Sequence, residues 1–302
     1  MKILVTDPIH PEGIALLKSA GFDVDEKYDL DKDSLKEIIK NYDALIVRSK
    51  TKVTKDVIES GQRLAAIGRA GVGLDNIDSK TAAEKNIKII NTPNVSTVSV
   101  AELVMGFMIS AVRYIPQATD SLKKMEWDKE KFSGTELADK TLGIIGIGRI
   151  GSAVAKRAKS FDMKVIGFDP YVKQSKDIQI VDLDTLLRSS DIISVHVPLT
   201  EETRHMISMN EVKKMKRGII VINAARGGIL DENALKYGLD NGIIRGVCLD
   251  VFESEKPFKS VLLDQYNFIG TPHIGAQTEE AQKRAGLEIA RLMSEYLKTV
   301  KK

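Results

Sequence analysis

Residues 146–151, Gly-Ile-Gly-Arg-Ile-Gly, have the G-x-G-x-x-G spacing with which a backbone can approach a pyrophosphate. Each glycine would have a separate task. Gly146 permits a tight turn, Gly148 leaves backbone N–H groups uncovered by any Cβ, and Gly151 lets a helix sit close on a strand. The spacing alone recurs in ordinary turns, and its setting gives it weight. The apolar run 142–145 leads straight into the glycines, and 152–160 reads as the following helix, whose N-terminus would favour an anion. About 20 residues beyond the motif, at the end of a second apolar run, stands Asp169, placed to accept hydrogen bonds from adenosine ribose hydroxyls. A carboxylate there repels a 2′-phosphate, so the expected cofactor is NAD rather than NADP. The plainer alternative for Asp169 is a turn residue ahead of Pro170. Arg149 and Ile150, inside the motif, are expected to touch the same cofactor.

Holding such a loop requires a parallel sheet, and the pattern of apolar runs supplies one. Short strands are expected at 3–5, 44–47, 64–68 and 87–91, with a helix over 12–20. After a single long helix expected over 99–124, a second series of strands reads at 141–145, 164–168, 191–196, 219–223 and 246–250. The fold class is therefore α/β, with two Rossmann-like doubly wound parallel-sheet domains. Because the glycine motif lies mid-chain, the cofactor domain is expected as an insert, residues 97–281, into a discontinuous domain made of 1–96 and 282–302. A closing amphipathic helix over 279–296 would return the chain to that first domain.

Composition narrows the function classes. Of 302 residues 43% are hydrophobic, enough for a substantial core, and a net charge of +3 arises from 45 basic and 42 acidic residues without a long basic run. Nucleic-acid and membrane partners are not expected, nor is a metal, and the single cysteine, Cys248, excludes an internal disulfide. Residues 1–8 look like a first strand and turn rather than a signal peptide, so a cytoplasmic location is expected, and the chain ends soon after the closing helix, so no appended regulatory domain is expected.

Three further segments sit at expected strand ends, where ligands bind in open parallel sheets: 223–228 (Asn-Ala-Ala-Arg-Gly-Gly), 249–255 (Leu-Asp-Val-Phe-Glu-Ser-Glu) and 271–276 (Thr-Pro-His-Ile-Gly-Ala). Together with Arg-Ala-Gly-Val-Gly-Leu-Asp-Asn-Ile-Asp at 69–78 and Asn-Thr-Pro-Asn at 91–94, they make the chain resemble the D-2-hydroxyacid dehydrogenase family over nearly its whole length. Within that family the likeness is to members that oxidise 3-phosphoglycerate, the first step of serine biosynthesis.

The resemblance implies that Arg226, Glu255 and His273 are catalytic, and their chemistry suits hydride transfer. An imidazole titrates near neutrality and can take the hydroxyl proton as hydride leaves carbon; a neighbouring carboxylate would orient the ring; a guanidinium can bind a substrate carboxylate through two parallel hydrogen bonds. A solvated charge cluster is the plainer alternative for Glu255, which shares its segment with Asp250 and Glu253 and is followed by Lys256. His196 reads as a buried residue or cleft wall, and His10 and His205 as polar loop residues.

The same resemblance places further cofactor contacts at Val72, Val197, Pro198, Thr203, Ala224, Ala225, Asp250, Gly275 and Ala276, with Arg226 and His273 shared. It places substrate contacts at Arg48, Ser49, Arg69, Ala70, Gly71, Val72 and Asn94, with Arg48 and Arg69 offering charge to a phosphate. The expected substrate is thus a phosphorylated 2-hydroxy acid. A glyoxylate or hydroxypyruvate reductase and a non-catalytic NAD-sensing corepressor are the alternatives. A homodimer is expected, since the family commonly pairs through its cofactor domain.

Overall fold

The computed structural model describes residues 1–255 and 257–300; Lys256, next to the expected catalytic Glu255, and residues 301–302 of the expected first domain lie outside the described residues. The chain divides into two compact units, Met1–Ser96 with Ala276–Lys302, and Thr97–Gly275.

In the first unit, apolar runs form the strands β1 (Lys2–Val5), β3 (Ala44–Val47) and β4 (Ala66–Arg69), flanked by β2 (Asp23–Glu26) and β5 (Lys88–Asn91). They pair in the order β2-β1-β3-β4-β5, all parallel. All four residues of β3 are buried, as a central strand covered on both faces requires. The polar β2, Asp-Val-Asp-Glu, escapes an apolar search because it is an edge strand burying only Val24. The helices are α1 (Pro11–Ser19), α2 (Lys32–Ile39), α3 (Lys55–Ser60) and α4 (Ser79–Glu84). The closing helix, Glu279–Thr299, sets Ile289, Ala290, Met293 and Leu297 in one core with Ile3, Val5 and Ile46. Its cap is Thr278, whose hydroxyl accepts from the Ala281 N–H. The return to the first unit therefore comes at Ala276 rather than at the expected 282.

The second unit begins with α5 (Thr97–Arg113) and α6 (Ile115–Lys123) where one long helix was expected. The two are bent by 63°. Tyr114 between them adopts φ +53, and Pro116 stands in the first turn of the second helix, where its missing N–H cannot continue the hydrogen-bond ladder of the first. Then follow β6 (Thr141–Ile145), α7 (Arg149–Lys159), β7 (Lys164–Phe168), β8 (Gln179–Ile180), α8 (Leu183–Ser189), β9 (Ile192–Val195), α9 (Met209–Lys214), β10 (Ile219–Asn223), α10 (Glu232–Asp240) and β11 (Ile244–Leu249). A short antiparallel hairpin, β12 (Ser254–Glu255) and β13 (Phe258–Lys259), precedes β14 (Phe268–Gly270). The main sheet is parallel, in the order β14-β11-β10-β9-β6-β7-β8. On one side α5 packs on α7, joining Val104, Met108, Val154 and Ala158 to Leu142 and Ile144 of β6. Among the described residues no single helix is long and apolar enough to cross a membrane.

Candidate active site

Strand order reverses between β6 and β9, and the glycine loop leaves β6 at that switch point, where a parallel sheet opens a crevice. Gly146 has φ +93, and a Cβ on it would come within 2.9 Å of the His196 carbonyl. A Cβ on Gly151 would lie 2.2 Å from the Gly146 oxygen. Only hydrogen fits at either place. At Gly148, by contrast, a Cβ would meet open space. Gly148 caps α7 without a side-chain hydrogen bond, leaving the first-turn N–H groups of an 11-residue helix beside a glycine-lined opening. This is a cradle into which a pyrophosphate fits.

Asp169, at the end of β7, does two local jobs at once. One carboxylate oxygen accepts from the Ile147 N–H at 2.9 Å and the other from the Tyr171 N–H at 2.9 Å. It is a turn residue, as the plainer alternative had it, and it also pins the glycine loop. Each oxygen still has a lone pair for a ribose hydroxyl. After β9, Val197, Pro198 and Thr203 form a loop closed on itself, with the Thr203 hydroxyl donating to the Pro198 carbonyl at 2.6 Å. His196 hydrogen-bonds the Ser194 hydroxyl through Nε2 at 2.9 Å, and burial pushes its pKa down to about 4.

The three segments singled out in the sequence follow β10, β11 and β14, which are neighbours in the sheet. After β10, the buried Asn223 brackets the next turn: its amide donates to the Arg226 carbonyl and its oxygen accepts from the Ala225 N–H, both at 2.9 Å. Arg226 Nη1 donates to the Ala225 carbonyl at 2.7 Å, and Ala224 is buried below.

After β14, His273 adopts φ +54, a left-handed conformation costing a non-glycine residue on the order of 1 kcal/mol. Asp250, 1% exposed at the end of β11, holds it there. The Asp250 carboxylate accepts from the Thr271 hydroxyl at 2.6 Å and from the Ile274 and Gly275 N–H groups, each at 2.7 Å. Asp250 was expected as a cofactor contact; here its carboxylate is sealed inside and fixes the loop that carries His273. The His273 ring turns Nδ1 towards Glu255, 3.0 and 3.3 Å from the two carboxylate oxygens. Glu253 faces elsewhere, with one oxygen 3.2 Å from His205 Nε2. The resemblance pointed to Glu255 rather than Glu253, and the β12-β13 hairpin presents Glu255 to the His273 ring. No apolar alternation marks so short a hairpin.

The residues expected to meet substrate lie in the first unit. The Arg69 guanidinium folds over Gly71, whose φ is +147, and a Cβ on Gly71 would overlap it. Ala70 is buried, and Val72 is tied by its carbonyl to the Asn91 amide at 2.7 Å. Arg48 and Ser49 follow β3, and Asn94, exposed, lies just after β5. Sequence reasoning missed Asp7, 2% exposed, which accepts from the Arg48 N–H at 2.6 Å and from the Thr51 N–H and hydroxyl at 3.1 and 2.7 Å. Its signal was available: an acid directly after an apolar strand has to be satisfied by a neighbouring loop. Burial lowers the Arg48 pKa, opposed by the charge of Asp7. Ala276, assigned to the cofactor, opens the return segment of this first unit.

Residues 105–275 match the family model described as D-isomer specific 2-hydroxyacid dehydrogenase, NAD binding domain. The chain is 52% identical, over 99% of its length, to D-3-phosphoglycerate dehydrogenase of Methanocaldococcus jannaschii, of which it spans 58%. It is 50% identical to hydroxypyruvate reductase of Thermotoga maritima, with 95% of each chain covered. Among solved structures, D-lactate dehydrogenase from Aquifex aeolicus complexed with NAD and lactic acid is similar at a TM-score of 0.86 and 31% identity, covering 99% of this chain and 96% of that one. With the glycine cradle and the strand-end histidine and acid in place, these matches show that the chain belongs to the D-isomer specific 2-hydroxyacid dehydrogenase family and carries its NAD-binding domain.

Proposed function

We propose that the protein is an NAD-dependent dehydrogenase oxidising D-3-phosphoglycerate at C2 to 3-phosphohydroxypyruvate. The observation that carries the dehydrogenase reading is the His273–Glu255 contact at 3.0 Å, made between the β12-β13 hairpin and the loop that follows β14 of the sheet holding the glycine cradle. When bound, NAD supplies the hydride acceptor. Glu255 keeps the ring proton on Nδ1, so Nε2 offers a lone pair to the substrate hydroxyl and takes its proton as the C2–H bond breaks. Charge on the imidazolium is then balanced by Glu255, and Arg226 offers its guanidinium to the substrate carboxylate. Gly146, Gly148 and Gly151, with the N–H groups of Arg149 and Ile150, hold the pyrophosphate, and Asp169 meets the adenosine ribose. To the same cofactor we assign Val197, Pro198, Thr203, Ala224, Ala225 and Gly275 of the second unit and Val72 and Ala276 of the first.

Phosphate recognition is assigned to Arg48 and Arg69, with Ser49, Ala70, Gly71, Val72 and Asn94 around the carboxylate end. Their support is their charge and the name of the methanogen relative. Hydroxypyruvate reduction is the second reading, favoured by a relative that matches this chain end to end. A panel of 3-phosphoglycerate, glycerate, lactate and, in reverse, hydroxypyruvate and glyoxylate separates them. Phosphoglycerate should lead by about tenfold or more in kcat/KM, with the advantage lost in Arg48→Ala or Arg69→Ala. Equal efficiency on glycerate removes the phosphate site. In the same assay NAD should outperform NADP, and Asp169→Ala should narrow the gap.

A second copy of the chain is the proposed partner, seated on α6 and the segment after it, where Leu122, Met125 and Trp127 are 53, 93 and 86% exposed. Sedimentation of the wild type and Trp127→Glu at low concentration checks this; a wild-type monomer removes it.

A further inference from the structure

Glu232 stands first in α10 and is 6% exposed, an unusual place for a carboxylate. It touches none of the groups assigned to NAD or substrate. What it holds is the β12-β13 hairpin. One oxygen accepts from the Glu253 N–H at 2.9 Å, immediately before the strand entering the hairpin. The other accepts from the Ser260 hydroxyl at 2.5 Å, immediately after the strand leaving it. Glu253 returns the contact, accepting from the Glu232 N–H at 3.2 Å. Between the two clamped points lies Glu255, paired across the hairpin with Phe258.

Among the described residues the hairpin has few other anchors. Its strands are two residues each, far below the length at which a lone hairpin is stable. Outside the clamp, its anchor is the edge-to-face contact of Phe258 with Phe252, ring centroids 4.9 Å apart. The helix supplies the reason an acid is tolerated there: the N-terminus of nine-residue α10, capped by Asp231, is electropositive and favours a negative charge in its first turn.

We infer that Glu232 is a positioning residue for the reaction: by gripping both ends of the hairpin it keeps the Glu255 carboxylate within hydrogen-bond reach of His273. The inference rests on the proposed role of Glu255. Misplacing that carboxylate by about 1 Å removes the charge that orients and balances the imidazole without touching the cofactor cradle.

The experiment compares wild type, Glu232→Ala, Glu232→Gln, Glu255→Gln and the double variant Glu232→Ala/Glu255→Gln, assayed with NAD and the best substrate of the panel. Glu232→Ala should lower kcat by about tenfold, with KM for NAD changed by less than about twofold. Glu232→Gln should recover to within about threefold of wild type, because its amide oxygen can accept from Glu253 while its NH2 donates to the Ser260 hydroxyl. In the Glu255→Gln background the Glu232→Ala change should cost less than about twofold, since nothing remains to be positioned. Losses that multiply in the double variant, or a lowered Tm with unchanged kcat, overturn the inference while leaving the role of Glu255 intact. A silent Glu255→Gln instead removes that role, and the inference falls with it. Should Glu232→Ala fail to fold, Ser260→Ala releases only the exit side and is held to the same non-additivity.

Discussion

Two histidines of the cofactor unit face acids from one short stretch of chain, His273 with Glu255 and His205 with Glu253, at 3.0 and 3.2 Å. Distance does not separate them. Neither does exposure, at 49 and 42% for the first pair and 41 and 35% for the second, nor backbone, since both histidines are left-handed, with φ +54 and +50. The difference lies in which atoms remain. His273 gives its acid Nδ1, the nitrogen nearer its own backbone, and keeps the outer Nε2 for a ligand. His205 spends Nε2 on Glu253, while its own N–H is tied to the Gly228 carbonyl. Glu253 in turn spends an oxygen and its N–H on Glu232, whereas the Glu255 carboxylate has both oxygens on His273. A close histidine–acid pair is therefore no catalytic dyad by itself; the proposed role of His273 and Glu255 rests on the outer nitrogen and on an acid not committed elsewhere among the described residues.

The widest break between the pairs should appear on removing each imidazole. His273→Asn takes away the proton acceptor and should lower kcat by about 10³-fold, whereas His205→Asn should stay within about threefold of wild type. Steady-state kinetics of the two variants decide it. Comparable losses would erase the distinction between the pairs.

How much of this was legible beforehand follows from where information sits in a chain. The glycine loop, with Asp169 downstream, could be read because its requirements are local: a strand, a turn without Cβ atoms, a helix. Central strands such as residues 44–47, 141–145 and 219–223 were read to the residue, because burial on both faces makes them continuously apolar. The polar edge strand 23–26 gave no such signal, and the helix break at Tyr114 was overlooked although Pro116 announced it. What no local pattern carries is the pairing of chain-distant acids: that Asp250 grips the loop of His273, Asp7 the loop of Arg48, and Glu232 the hairpin of Glu255. In sequence each is one more acid near a strand or helix end, and only tertiary structure shows which is sealed inside.

The acids sharpen the same comparison at smaller scale. Glu255→Gln removes the charge that balances the imidazolium and should lower kcat/KM by about 10- to 100-fold. Glu253→Gln should leave kcat/KM within about twofold of wild type and appear instead as a loss of about 1 kcal/mol or less in denaturant unfolding, since the amide can still accept from the Glu232 N–H. A large loss of kcat/KM in Glu253→Gln with none in Glu255→Gln would exchange their roles.

A third histidine sets the floor of the comparison. His196 has no acid; its Nε2 meets the Ser194 hydroxyl, and its Nδ1 is buried with no hydrogen-bond partner among the described residues. Burial holds its pKa at about 4 against an ordinary 6.5. In that window the unfolded chain binds a proton that the folded protein refuses, so stability is complete above about pH 6.5 and is lost as pH falls towards 4. The residue keeps partial exposure through its other atoms, which discounts the effect to about 1 kcal/mol. His196→Asn does not titrate, so the gap in unfolding free energy between wild type and variant should be widest at pH 7 and should narrow on acidification. A gap that stays constant from pH 7 to pH 4 would mean that the folded protein accepts the proton at His196 after all, which places solvent, rather than packed strand ends, against the ring.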